Sequence, residues 1–141
     1  DADFTGANLD GASFIGAQCP KARLDGANLS HAKVKGSFTQ ASFVNARFDS
    51  ADLAPGSRNQ RAVFKRGFES ANLEGASFKG ANMVEVDMEY ASLRNADLTG
   101  AVLAGADLAG ADPSGLVEGH GEGLPRILQR RDVRKDAAAS I

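Results

Sequence analysis

A large apolar residue returns at every fifth position along most of this chain, and two places before it stands a small one. Ala2-Asp3-Phe4-Thr5-Gly6 is followed by Ala7-Asn8-Leu9-Asp10-Gly11 and Ala12-Ser13-Phe14-Ile15-Gly16, and the pattern runs nearly to Asp112. A fixed short period overrides ordinary counting of helices and strands, because each unit is a module that buries its core by stacking on its neighbours. The large residues, here called centres, are Phe4, Leu9, Phe14, Cys19, Leu24, Leu29 and Val34, then Phe38, Phe43, Phe48 and Leu53, then Phe64 and Phe68. An unbroken run closes the series at Leu73, Phe78, Met83, Met88, Leu93, Leu98, Leu103 and Leu108. Every Phe and Met of the chain is a centre, and random placement would put each there only about one time in five.

Neither common period accounts for this. A helix needs apolar residues near a 3.6 spacing and a strand needs strict alternation, whereas a spacing of five wraps around a helix and would leave half the Phe residues in water. Five suits a coil with short flat sides, one unit to a side. The small residue and the centre both point inward, and the other three face outward or turn the corner. The small position is Ala in all but three units, the exceptions being Gly36, Arg66 and Val86. Alternating small and large inward residues let successive layers interdigitate. Gly commonly follows the centre by two, where a corner demands unusual backbone. Asp, Asn or Ser before the centre can accept bonds from nearby backbone N–H groups.

Units such as Ala27-Asn28-Leu29, Ala71-Asn72-Leu73, Ala96-Asp97-Leu98 and Ala106-Asp107-Leu108 resemble the pentapeptide repeat family, whose motif is A(D/N)LxG. The resemblance covers about four-fifths of the chain. It implies an all-β solenoid, a right-handed quadrilateral parallel β-helix with four units to a coil. About five coils at roughly 4.8 Å make a rod of roughly 25 Å.

Breaks in the period divide the chain. Val34 to Phe38 is one residue short, as is Phe64 to Phe68, where Arg66 would occupy an inward small position. A long charged side chain does not belong there, so a bulge that turns Arg66 outward is expected. Between Leu53 and Phe64 the sequence Ala54-Pro55-Gly56-Ser57-Arg58-Asn59-Gln60-Arg61 reads as a side loop over 54–61. Pro113 stands where a Leu would continue the series, and its missing N–H is expected to end the pairing, giving a β-helix over 1–112. Residues 113–124 are rich in Gly and read as a flexible linker. From Pro125 to 141 a short helix is expected, with Leu124, Ile127 and Leu128 on one face. That helix, or an open coil end, is a candidate surface for a homodimer.

The residues for catalysis are nearly absent. Gly75 to Gly80 has the spacing of half a phosphate loop, but Ala81-Asn82 follows where Lys-Ser/Thr is required. No Gly-x-Ser-x-Gly elbow occurs. His31 falls on an outward corner, and His120, flanked by Glu118 and Glu122, lies in the linker, a poor cage for a metal. Cys19 is a centre and reads as a small core hydrophobe rather than an activated thiol. No enzyme activity, cofactor, metal or small-molecule substrate is expected. No run of 18 apolar residues exists to span a membrane. The chain starts at Asp1 inside a repeat, which leaves the compartment open between bacterial cytoplasm and a processed form in thylakoid lumen or periplasm.

What remains is surface. The side loop with its flank gathers Arg58, Asn59, Arg61, Lys65 and Arg66. Glu85, Asp87 and Glu89, with Asp107 one coil along, form an acidic patch beside Tyr90, the only tyrosine. Lys21, Arg23, Lys33 and Lys35 read as a basic patch, and Glu74 and Arg94 as an ion pair across adjacent coils. The loop and the acidic patch are the candidate partner-binding residues, since loops on rigid scaffolds and exposed aromatics favour contacts. The class these features support is a non-catalytic scaffold that binds a protein partner through its faces or loop. The resemblance adds an alternative, a DNA mimic that binds type II topoisomerase and protects it from quinolones or toxins. A mimic needs a continuous acidic stripe. The net charge is only −2, and the segment to Asp112 mixes fourteen acidic with eleven basic residues. Direct nucleic-acid binding, which would show a basic stripe, is not expected either. A further alternative is a thylakoid-lumen or periplasmic family member of unassigned role.

Overall fold

The computed structural model of this protein describes residues 1–55 and 67–117. Its architecture follows from how one five-residue unit places its backbone N–H groups. In the unit Asn28 to Ala32, the Asn28 N–H donates to the Ala7 carbonyl of the coil before, and the Leu29 and His31 N–H groups donate to Arg47 and Asp49 of the coil after. The Ala32 N–H closes a turn on the Leu29 carbonyl at 3.1 Å. The Ser30 N–H, left over, donates to the Asn28 side-chain Oδ1 at 3.1 Å. All five donors are satisfied, two within the unit and three between coils, so no regular strand is needed. The same side-chain turn recurs at Asp3, Asn72, Asp97 and Asp112, which explains the polar residue before the centre.

The regular corners are turns closed by an i→i+3 bond whose third residue has positive φ, the pattern of a type II turn. Glycine fills many of these positions, but Lys21, His31, Gln40, Asn45, Ser50, Ser70, Glu85, Tyr90 and Asn95 also adopt φ of 57–59°. Side chains rarely take this conformation, so the inter-coil ladder is imposing it.

Parallel bridges arrange the units in four columns, the faces of the coil. The first face carries Asp3, Arg23, Ser42, Asn72, Ser92 and Asp112, and the second Asn8, Asn28, Arg47, Ser77, Asp97 and Val117. Ser13, Lys33, Asp52, Asn82 and Val102 form the third. On the fourth, Gln18 bridges Ser37, the Phe38 N–H donates to Gly67, the Phe68 N–H to Asp87, and Asp87 bridges Asp107. Among the described residues there is no helix, and so none long and apolar enough to cross a membrane.

The centres line the axis as the period requires. Described centres from Leu24 to Leu108 are buried, and Val86 occupies an Ala position at 2% exposure. Centres on the same face stack: Phe48 and Phe78 lie 4.8 Å apart at 6°, and Phe38 and Phe68 5.4 Å apart at 15°. Rings from different faces meet tilted or edge-on, Phe43 and Phe48 at 56° and Phe14 and Phe38 at 70°. Phe4, Leu9, Phe14 and Cys19, in the first coil, are only partly buried against this core. Burial pushes the Cys19 thiol above its usual value, away from an activated thiolate.

One expectation needs revising. The ladder does not stop at Asp112: the Val117 N–H donates to Ala96, its carbonyl accepts from Leu98, and Pro113 is itself buried in a centre position. A centre's N–H donates only toward the following coil, so proline there breaks no bond to the coil before it. Phe68 takes the fourth face as the next described centre after Leu53 on the third. Phe64, the bulge at Arg66 and the expected helix over 125–141 lie outside the described residues.

Phe48→Ala should lower stability by about 3–5 kcal/mol, the usual cost of emptying a buried aromatic site. Phe4→Ala, in the half-exposed first coil, should cost distinctly less. Urea midpoints compared for the two variants and the parent test this, and equal losses would contradict the layered core.

Candidate functional site

The two register breaks fall on the same corner, one coil apart. Rung partners are twenty residues apart in most of the ladder, nineteen where the step spans Gly36, and thirty where it spans 54–67. Both irregular steps occur between the third and fourth faces. At Gly36 the turn is lost: Ser37 donates to Ala17 instead of closing on Val34, and Gly36 lies buried against the Ala17 carbonyl. A Cβ added at Gly36 would overlap that oxygen, so the shortened corner can pass only as glycine. One coil later the chain leaves the same corner after Pro55 and returns at Gly67.

This broken corner opens a recess of about 260 Å3. Val34, Leu53, Pro55, Phe68 and Val86 give it apolar walls, and Lys35, Glu85, Asp87, Glu89 and Asp107 give it charge. Lys35 is largely buried and pairs with Asp52 at 2.8 Å. Asp52 also accepts from the Ala54 N–H and the Asn82 amide, each at 3.2 Å, and so pins the point where the chain departs.

Across the recess, Asp87, Glu89 and Asp107 bring one carboxylate oxygen each within 4.8 Å of one another. Asp87 and Asp107 occupy successive rungs of the fourth face, and Glu89 sits on the corner beside them. The Asp87 and Asp107 carboxylates are oriented by backbone N–H groups of Glu89 and Ala109, both at 3.0 Å. A hydrogen bond from the Glu89 carboxyl to Asp107, then the charges of Asp107, Asp87 and Glu69, push Glu89 above its ordinary 4.5. Tyr90 follows on that corner at 64% exposure, its ring lying over Gly110 so closely that a Cβ there would meet it at 2.5 Å.

The expected acidic residues therefore do gather: Glu85, Asp87, Glu89 and Asp107 line one recess, and Tyr90 follows Glu89 outside it. Glu69 was missed, although its spacing of twenty from Glu89 was visible. Lys35 belongs to this recess rather than to a basic patch. Arg23 lies on the first face beside Asp3 and Lys33 on the third, so the four cations do not share a surface. Among the described residues no ion pair joins Glu74 to Arg94, whose charge instead helps hold Asp112 below its usual value after the stronger bonds from Ser114. His31 is exposed on its outward corner, its Nδ1 2.9 Å from an Asp10 carboxylate oxygen. Arg58, Asn59, Arg61, Lys65 and Arg66 lie outside the described residues, between the two ends that flank the recess.

The sequence matches the family described as pentapeptide repeats, in eight copies over residues 2–38, 68–100 and 81–112. The chain belongs to the pentapeptide repeat family. No curated protein sequence matches it. Among solved structures it is similar to Rfr23 from the cyanobacterium Cyanothece 51142, at 23% identity and a TM-score of 0.57, over 82% of this chain and 90% of that one. It is also similar to trypsin-treated QnrB1, a plasmid-mediated fluoroquinolone resistance protein, at 24% identity and a TM-score of 0.57. That match covers 81% of this chain and 58% of QnrB1. These likenesses carry the fold, the right-handed quadrilateral β-helix, and the matched family is not an enzymatic one.

The raised Glu89 value gives a signed prediction. A carboxyl whose folded pKa exceeds its unfolded one stabilises fully below the unfolded value and loses that contribution as pH rises through the folded value. Glu89→Gln should therefore be more stable than the parent at pH 7, and the two should converge near pH 4. Urea midpoints at both pH values check it, and a variant less stable at pH 7 would contradict the assigned repulsion.

Proposed function

We propose that this protein is a non-catalytic scaffold that binds a protein partner at the broken corner and along the adjoining fourth face. The observation that supports it most is the coincidence of both register breaks, the recess and the exposed Tyr90 on one side of an otherwise regular rod. A rigid solenoid offers preformed surface with little ordering cost on binding. Exposed tyrosine is among the residues that concentrate in interfaces. The recess is smaller than the roughly 300–1,000 Å3 of most small-molecule sites, which favours a contact surface over a substrate pocket.

A duplex mimic is less well supported. It calls for an uninterrupted line of carboxylates, whereas the first face carries Arg23 and Ser42 between its acids and the second carries Arg47. The likeness to QnrB1 extends to the fold only.

A photo-crosslinking residue at position 90, compared with one at Asn72 on the regular first face, tests the scaffold reading in an extract of the source organism. Discrete protein adducts are expected from position 90 at several-fold higher yield. Adducts equal at both positions, or absent from both, would end it.

A further inference from the structure

We propose that residues 118–141 fold back over the last coil and seat Leu124, Ile127 and Leu128 on the core end formed by Leu103, Leu108 and Pro113. This goes beyond the scaffold reading and does not depend on it. The third column of bridges ends at Val102 and the fourth at Asp107, so among the described residues no unit is stacked on those of Leu103 and Leu108. The opposite end of the rod shows how centres fare there: Phe14 and Cys19, on the same two faces, are only partly buried. Leu103 and Leu108 are instead 0% and 3% exposed, and Pro113 is buried as well. Leu116, a large residue in an Ala position, packs on this end from the second face, but one half-buried side chain does not close two open faces. Atoms from outside the described residues therefore lie over the end.

Two stretches of the chain remain to supply them. Residues 56–66 leave and rejoin the rod at the coil of Leu53, three rungs below the surface to be covered, a climb of about 14 Å. Going out and back at ~3.5 Å per residue they reach at most about 20 Å, which leaves too little to turn in across the axis. Residues 118–141 start where the cover is needed. The Val117 carbonyl accepts from the Leu98 N–H, so the chain passes that point on the second face, one unit short of the third. At ~3.5 Å per residue, 118–123 span about 20 Å, enough to bring Leu124 over the axis. Leu124, Ile127 and Leu128 are a compact apolar group among Arg126, Arg130 and Arg131, able to bury hydrocarbon while the charges stay in water. A second copy is not needed as the occupant, because Leu103 and Leu108 are buried within one chain.

The test is a methyl-resolved NOESY spectrum of the full chain, with the Leu, Ile and Val methyls assigned. Cross-peaks are expected from Leu103 and Leu108 to Leu124, Ile127 or Leu128, and they should persist when labelled chain is diluted into an excess of unlabelled chain. The triple variant Leu124→Ser, Ile127→Ser, Leu128→Ser should speed amide exchange at Leu103 and Leu108 at least tenfold. Exchange at Leu29 and Phe48, deep in the rod, should stay within about twofold, which keeps general unfolding from imitating the effect. No cross-peak from the last coil to residues 118–141, or a triple variant whose last coil exchanges no faster, overturns the proposal. Cross-peaks from Leu103 or Leu108 to Val63 overturn it as well, because residues 56–66 are then the occupant. Cross-peaks seen only between labelled and unlabelled chains overturn it too, because the cover is then a second copy.

Discussion

Satisfying every backbone N–H within five residues is the constraint on which this fold depends. Three donors reach neighbouring coils, one closes the corner, and the last is taken by a side-chain oxygen one residue before the centre. That arrangement leaves two inward positions per unit, which accounts for the alternation of Ala with a large apolar residue. It also forces positive φ at the corners, even on residues as bulky as Tyr90. The cost of that backbone, about 1–2 kcal/mol for a non-glycine residue, is carried by the bonds and burial on either side.

Cross-coil side chains reinforce the ladder. Asp25 accepts from the Ser42 hydroxyl and the Val44 N–H, and Asp49 does the same with Ser77 and the Lys79 N–H. In each case a carboxylate just after a centre grips the unit stacked on it. These contacts are local, so each coil senses chiefly its two neighbours, the energetic pattern of a repeat protein.

Most of the fold was legible because centres recur in register and their burial follows directly. Phe43, Phe78 and Leu98 could be placed on the axis from spacing alone. Pro113 was misread because a period carries no direction: whether a missing N–H matters depends on which coil it faces. Phe64 was counted as a unit because Ala62 stands two places before it, and it lies outside the described residues. The candidate site was legible in part. Asp87 and Asp107 stack as their spacing implied, but the approach of Lys35 to Asp52 depends on the corner at Gly36 lacking its turn.

The ladder steps of nineteen, twenty and thirty residues show that the coil keeps count of sides, not of amino acids. Chain length at this one vertex is thus nearly decoupled from the phase of everything stacked above and below. Between Pro55 and Gly67 the rod takes in ten additional residues, thirty against twenty, and is re-entered in step.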